Sequence, residues 1–107
     1  MPTVKQVNVA INQDAINPVT TSGGEVLYKK NNRRSLSIQN IGTAKVFVRF
    51  GAEPVLTGTK KYSFILPPAS GTDEGDGGVL TLDNYNGSVW CKTSSGSSTV
   101  IATDFIG

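Results

Sequence analysis

Residues 33–51 read RRSLSIQNIGTAKVFVRFG, and this stretch decides the fold class of the chain. Leu36 and Ile38 alternate with polar residues, a turn of Asn-Ile-Gly-Thr follows, and the alternation then resumes. In the second run one face carries Ala44, Val46, Val48 and Phe50, and the opposite face carries Lys45, Phe47 and Arg49. Apolar residues at every second position on both sides of a glycine-containing turn are typical of an antiparallel hairpin with one buried face. We therefore expect an antiparallel β protein whose central hairpin spans residues 35–50.

Further short alternating runs flank this stretch, and turns rich in glycine, proline and asparagine separate them. The pattern predicts an all-β, antiparallel β-sandwich of jelly-roll type with about eight short strands and no helix, as a single domain over residues 1–107. Residues 14–24 predict a loop or a short edge segment. Asn86-Gly87 predicts the tight turn of a second hairpin. The expected core consists of Leu36, Ile38, Val46, Val48, Phe50, Leu80 and Leu82.

The composition supports this fold class and reduces the number of function classes to consider. The chain has 107 residues, of which 37% are hydrophobic and only 17% charged, and glycine, serine, threonine and asparagine fill the difference. A net charge of +2 is too small to indicate a nucleic-acid partner. No apolar run approaches the roughly 18 residues of a membrane span, and the N-terminus lacks the pattern of a signal peptide. Cys91 is the single cysteine, so an intramolecular disulfide is impossible and assembly in a reducing cytosol is expected.

The residues of common catalytic sites are missing. The chain has no histidine, which is the usual general base and zinc ligand, so nothing of that kind can activate Cys91. The serines lie in predicted turns and outside a nucleophile elbow. The one cluster of acids, at residues 73–76, has its carboxylates side by side on a loop and not across a cleft. The sequence therefore predicts a protein that is not an enzyme and has no cofactor.

Three other clusters each have a structural and a functional interpretation. Asp73, Glu74 and Asp76 offer oxygen ligands to calcium, but their spacing is not that of an EF-hand, and a solvated loop is favoured. Lys29, Lys30, Arg33 and Arg34 are favoured as a solvated turn; nucleic-acid binding would need basic and aromatic residues interleaved on one sheet face. Tyr62, Tyr85 and Trp90 would serve as a sugar-stacking platform only if the fold brought them together, and otherwise they are packing residues.

Two features indicate a surface that another chain covers. Simple alternation places Phe47 on the outward face beside Lys45 and Arg49, where a large apolar side chain needs a cover. The N-terminal segment, about residues 1–12, is either an ordinary first strand or an arm that pairs with a neighbouring subunit or another partner surface. The candidate partner interface consists of Val4, Val7, Val9, Ile11 and Phe47.

Several of these segments resemble small structural proteins of tailed bacteriophages. The resemblance rests on NRRSLSIQNIGT at residues 32–43 and VFVRFG at 46–51, followed by LPP at 66–68, EGDGG at 74–78 and YNGSVW at 85–90. The resemblance covers about residues 25–103, most of the chain. These motifs are more typical of a phage virion β-domain in general than of one virion part.

The resemblance implies a structural role in the virion. The chain has room for one β-domain and an arm, so among the phage proteins it resembles, a capsid decoration or cement protein is favoured over a fibre. Such a protein binds between capsomers, so the implied partners are the major capsid protein and further copies of the chain, most simply as a trimer, with no direct nucleic acid and no membrane. The implied location is the capsid surface, after synthesis in the host cytoplasm. The alternative is an adhesion module of a head or tail fibre that binds carbohydrate.

Overall fold

The structure, a computed structural model, describes residues 10–71 and 74–106, with side chains from residue 17 onward. This part of the chain contains eight strands and no helix. The strands are β1 (Ala10–Val19), β2 (Gly24–Leu27), β3 (Arg33–Asn40), β4 (Val46–Phe50), β5 (Phe64–Leu66), β6 (Val79–Asp83), β7 (Val89–Lys92) and β8 (Ser98–Ile106). No helix in the described ranges is therefore long and apolar enough to cross a membrane.

The strands form two antiparallel sheets of four. The first sheet has the order β1-β8-β3-β6 and the second has the order β2-β7-β4-β5. Strand β4 pairs with β5, β3 with β6, β2 with β7 and β1 with β8, so the chain is a long two-stranded ribbon rolled over itself. This nested pairing is the strand order of an eight-stranded jelly roll. The predicted fold class, an all-β antiparallel sandwich, is confirmed.

The core lies between the two sheets and is built from alternate residues of facing strands. Leu36 and Ile38 of β3 and Val46 and Val48 of β4 are completely buried. They pack with buried residues of the other strands, namely Val19, Val26, Leu27, Leu66, Leu80, Val89, Cys91, Val100 and Ala102. Phe50 and Leu82 are partly buried against this cluster. The predicted core residues therefore all face the interior, with these two at its margin.

The central hairpin is the main error of the sequence prediction. Strand β3 pairs with β6 and β8, whereas β4 pairs with β5 and β7, so β3 and β4 belong to different sheets. The connecting residues 41–45 form a corner that crosses from one sheet to the other. A strand with one buried face shows the same alternation whether its neighbour in sequence lies beside it or opposite it. The pattern therefore identified both strands correctly and could not identify their partners.

Asn40 fixes this corner. Its side-chain Nδ2 lies 2.8 Å from the carbonyl oxygen of Ala44 and 3.1 Å from those of Leu66 and Pro67. Its Oδ1 accepts hydrogen bonds from the Gly42 amide at 3.1 Å and the Ser98 hydroxyl at 2.6 Å. Asn40 is fully buried, and these bonds satisfy its amide while holding the ends of β3, β5 and β8 together. A tight hairpin turn would not bring those three ends to one side chain.

The structure decides between the two alternatives for residues 14–24 and corrects the prediction for a second turn. Up to Val19 the segment is an edge strand, β1, and not a loop, because an edge strand tolerates Pro18, which lacks an amide donor. The turn at Asn86-Gly87 joins β6 of the first sheet to β7 of the second, so it too is a corner and not a hairpin.

Candidate partner-binding surface

The outer surface of the second sheet brings aromatic and cationic side chains together. Along β4, Lys45, Phe47 and Arg49 alternate with the buried residues Val46 and Val48. The register of the sheet places Phe47 between Lys92 of β7 and Ile65 of β5, and Arg49 opposite Trp90 of β7. With Tyr62, which contacts Phe47, these residues define the β4–β7 face: Lys45, Phe47, Arg49, Tyr62, Ile65, Trp90 and Lys92.

The apolar part of the β4–β7 face is only partly covered by its own chain. The rings of Phe47 and Tyr62 meet edge to face, with their centroids 5.1 Å apart. Ile65 remains 43% exposed. Phe47, Tyr62 and Trp90 are each half-buried. Trp90 donates a hydrogen bond from Nε1 to the Ser88 hydroxyl at 3.2 Å, which holds the indole in place. Aromatic residues and arginine are the types most enriched at the centres of protein interfaces.

The charges on this face leave a cationic surplus. Lys92 forms an ion pair with Glu53 at 3.2 Å, and Arg49 donates to the backbone oxygen of Glu53 at 3.0 Å. Glu25 of β2 lies opposite Trp90 in the register. Among the described residues, neither Lys45 nor Arg49 has an ion-pair partner. Lys45 is exposed, and the cations Lys45, Arg49 and Lys92 outnumber the carboxylates of Glu25 and Glu53 by one.

The candidate interface of the sequence analysis is only partly described by the structure. Phe47 faces outward, as its alternation predicts. Ile11 lies in β1, where its backbone pairs with that of Phe105 in the same chain, so the predicted arm of about residues 1–12 overlaps the first strand. Val4, Val7 and Val9 lie outside the described residues. The sequence analysis missed the contribution of Trp90 and Lys92, because the β4–β7 pairing that places them beside Phe47 joins residues about forty positions apart.

The three aromatic residues of the predicted sugar platform do not meet. Tyr62 and Trp90 lie on the β4–β7 face. Tyr85 packs against Phe50 on the core side, with ring centroids 5.0 Å apart, and donates its hydroxyl to the Ser88 carbonyl at 2.8 Å. The burial of Tyr85 raises its phenol pKa. Tyr85 is therefore a packing residue, and only two members of the trio share a surface.

The basic cluster at residues 29–34 is not the solvated turn that the sequence favoured. Arg33 is buried, and its Nε lies 2.6 Å from Oδ1 of the buried Asp104 on β8. The guanidinium also donates to the Gly87 carbonyl at 2.7 Å and to the Tyr28 carbonyl. Lys30 completes the network with a 2.5 Å contact to Oδ2 of Asp104. This cluster joins the β2–β3 and β6–β7 connections to β8, so it serves the fold; Lys29 and Arg34 remain exposed.

The Asp104 network predicts acid sensitivity. Burial raises the pKa of Asp104, but hydrogen bonds from Lys30 and Arg33 and their positive charges outweigh it, and the pKa lies below its usual 3.8. As pH falls, the Asp104 carboxylate is therefore protonated at a higher pH in the unfolded chain than in the folded one. The stabilisation is complete above about pH 4 and is lost as pH falls through the folded-state pKa. We expect urea unfolding to give a constant free energy from about pH 7 to 5 and a falling one below about pH 4.

The control for this acid effect is Asp104→Asn, which removes the titrating group. The variant should show a shallower decrease of stability in acid than the wild-type chain. An equal decrease in both proteins would contradict the assignment of the effect to Asp104.

Asp76 in the acidic loop and Cys91 in the core both have structural surroundings. The Asp76 carboxylate accepts a hydrogen bond from the Ser70 amide at 2.9 Å, and this bond lowers its pKa. Within the described ranges no group of three or more candidate ligands is placed to hold a metal ion, and Asp73 lies outside them. Cys91 is buried in β7, and burial raises the pKa of its thiol to about 12. An inert thiol in the core fits the structural interpretation of this residue.

A shallow cleft of about 650 Å³ lies beside the β4–β7 face. Four of its eight lining residues carry a hydroxyl group, and Lys45 belongs both to the cleft and to the β4–β7 face. The lining residues are Thr43, Ala44, Lys45, Pro68, Ser94, Ser95, Gly96 and Ser97. The cleft contains no carboxylate, so acid–base chemistry between paired acids has no basis there.

Comparisons of the chain with protein-family models, with curated proteins and with solved structures gave no match.

Proposed function

We propose that this chain is a structural protein of a tailed-bacteriophage virion and that it decorates the capsid. The observation that carries the proposal is the β4–β7 face, a partly exposed aromatic surface with a cationic border on a jelly-roll domain. Jelly rolls are common in viral capsid proteins and in lectins. The sequence resemblance to small phage structural proteins supports the first of these two settings.

The physical role of a decoration protein is to add contact area across the joints between capsomers. A protein that binds only the mature lattice stabilises that lattice by mass action. At a free concentration one hundred times the dissociation constant, each occupied site gains about 2.7 kcal/mol. Such work requires a complementary surface and a stable fold, and it requires no catalytic group. The partly exposed aromatic β4–β7 face supports the first requirement. The second is supported by the described part of the chain, where every buried side-chain nitrogen and oxygen has a hydrogen-bond partner.

Capsid binding provides the test of this proposal. The purified chain should co-sediment with mature capsids of the phage that encodes it and should raise the temperature at which they open. Immature shells of the same phage are the matched control, because their capsomers meet in a different geometry. Failure to bind mature capsids at micromolar concentration would contradict the proposal.

Carbohydrate adhesion is the second candidate function. Tyr62 and Trp90 share the β4–β7 face, and the hydroxyl-lined cleft adjoins it at Lys45. Aromatic stacking combined with a few polar groups is the usual chemistry of small-ligand sites. A change in the fluorescence of Trp90 on addition of glycans, abolished by Tyr62→Ala, would favour adhesion. An unchanged spectrum across a glycan panel would leave capsid decoration as the better proposal.

A further inference from the structure

A second exposed surface of the chain has the opposite charge. Strand β6 is one of the two edge strands of the first sheet, and Val79 at its start is 61% exposed. Val79 pairs with Gln39, whose Nε2 lies 3.4 Å from the carbonyl oxygen of Gly75. The exposed residues Glu74 and Asp76 flank Gly75 in the loop that leads into β6. Glu74, Asp76 and Val79 together define the β6 edge.

The β6 edge carries a surplus of negative charge around an apolar residue. In the described part of the chain, neither Glu74 nor Asp76 forms an ion pair, and Asp76 accepts a hydrogen bond from the Ser70 amide. At the far end of β6, Asp83 lines a shallow cleft together with Arg33 and Arg34, so cations lie near that carboxylate. Glu74 and Asp76 precede the opposite end of the strand, which begins at Val79.

The β4–β7 face and the β6 edge complement one another. The face has an apolar centre at the half-buried Phe47 and the exposed Ile65, with Lys45 and Arg49 beside it. The edge has the exposed Val79, and two carboxylates lie in the loop that precedes it. Opposite potentials across a contact favour association and fix its orientation. Two copies joined face to face would instead bring Lys45 and Arg49 near their own counterparts, which like charges oppose.

We propose that the β4–β7 face of one copy docks on the β6 edge of a second copy. The two surfaces differ, so the contact is head to tail, and repeated contacts of this kind close into a ring when the rotation between copies permits. The contact rests on the proposed function, since it specifies how copies would join at a symmetric capsid site. It is nevertheless measurable in the free protein.

Charge reversal tests the contact directly. Sedimentation velocity of the full chain from about 1 to 100 μM should show reversible association that weakens when salt is raised, because salt screens exposed charges. Lys45→Glu and Glu74→Lys should each lower the association constant about tenfold or more, and the double variant should recover most of it. Lys29→Glu, an equal change at an exposed lysine outside both surfaces, should leave association unchanged.

Each alternative gives a different result. A chain that stays monomeric over the whole range would overturn the contact, and if that monomer bound mature capsids the proposed function would still stand. Association that Lys45→Glu changes but Glu74→Lys does not would indicate a face-to-face dimer and reject the head-to-tail contact. Head-to-tail association without capsid binding would uphold the contact and contradict the decoration role.

Discussion

Replacing Val48 with aspartate is expected to prevent folding. Val48 is completely buried in β4, where it pairs with Phe64 on one side and Cys91 on the other, between the two sheets. A carboxylate at this position has no cation within the apolar cluster and no access to water. The expected cost is about 5 kcal/mol or more, which equals the whole stability of many small domains. The Val48→Asp protein should be insoluble or should lack β-sheet circular dichroism.

The matched control is Val79→Asp. It makes the same chemical change at a valine that is 61% exposed, on the edge strand β6 of the first sheet. Its free energy of unfolding should change by about 1 kcal/mol or less, measured by urea denaturation. A folded, soluble Val48→Asp protein would mean that β4 faces the other way, with Phe47 and Arg49 inside.

The second large effect is expected at Arg33. Arg33→Met preserves most of the side-chain volume but removes the guanidinium from Asp104, Gly87 and Tyr28, leaving a buried carboxylate held by Lys30 alone. Removing one partner of a buried ion pair costs about 3–5 kcal/mol, because the remaining charge is left uncompensated. Urea denaturation should show a loss of this size. Arg34→Met, a change at the exposed neighbour, should cost no more than about 0.5 kcal/mol.

A double variant separates the ion pair from the other contacts of Arg33. Arg33→Met combined with Asp104→Leu removes both buried charges, so it should be less destabilising than the sum of the two single changes. Strict additivity of the three measured free energies would show that Arg33 and Asp104 do not interact. A loss below about 1 kcal/mol for Arg33→Met would show that the network contributes little.

The buried pair at Arg33 and Asp104 illustrates the limit of reasoning from charge patterns. In sequence, Arg33 belongs to a run of polar residues between two strands, and such runs are usually solvated. Its burial depends on Asp104, which lies 71 residues away on β8 and faces inward at an alternating position. An acid at the inward position of a strand was the one available signal, since a buried carboxylate needs a cation.

The β4–β7 face was also only partly predictable from the sequence. The outward direction of Phe47 followed from alternation along β4 alone, and the structure confirms it. The presence of Trp90 and Lys92 beside Phe47 follows from the pairing of β4 with β7, which no local pattern encodes. The sequence analysis favoured a solvated turn for the basic cluster at residues 29–34 and placed Phe47 with Lys45 and Arg49 on the outward face of the next strand. The fold adds Trp90 and Lys92 to that outward face.

The sequence by itself determined the all-β class, the approximate positions of most strands and the inward faces of β3, β4 and β6, because the side-chain period of a strand is a local property. Leu36, Ile38, Val46 and Val48 were all identified correctly as core in this way. Only the tertiary structure decided which strands pair, that β3 and β4 lie in opposite sheets, and that Arg33 is buried. The pairing of strands depends on contacts between residues distant in sequence, such as those that Asn40 makes with Leu66 and Ser98. The alternation of apolar and polar residues along a strand cannot reveal this pairing, because it is the same whether the next strand lies beside it in one sheet or across the core in the other.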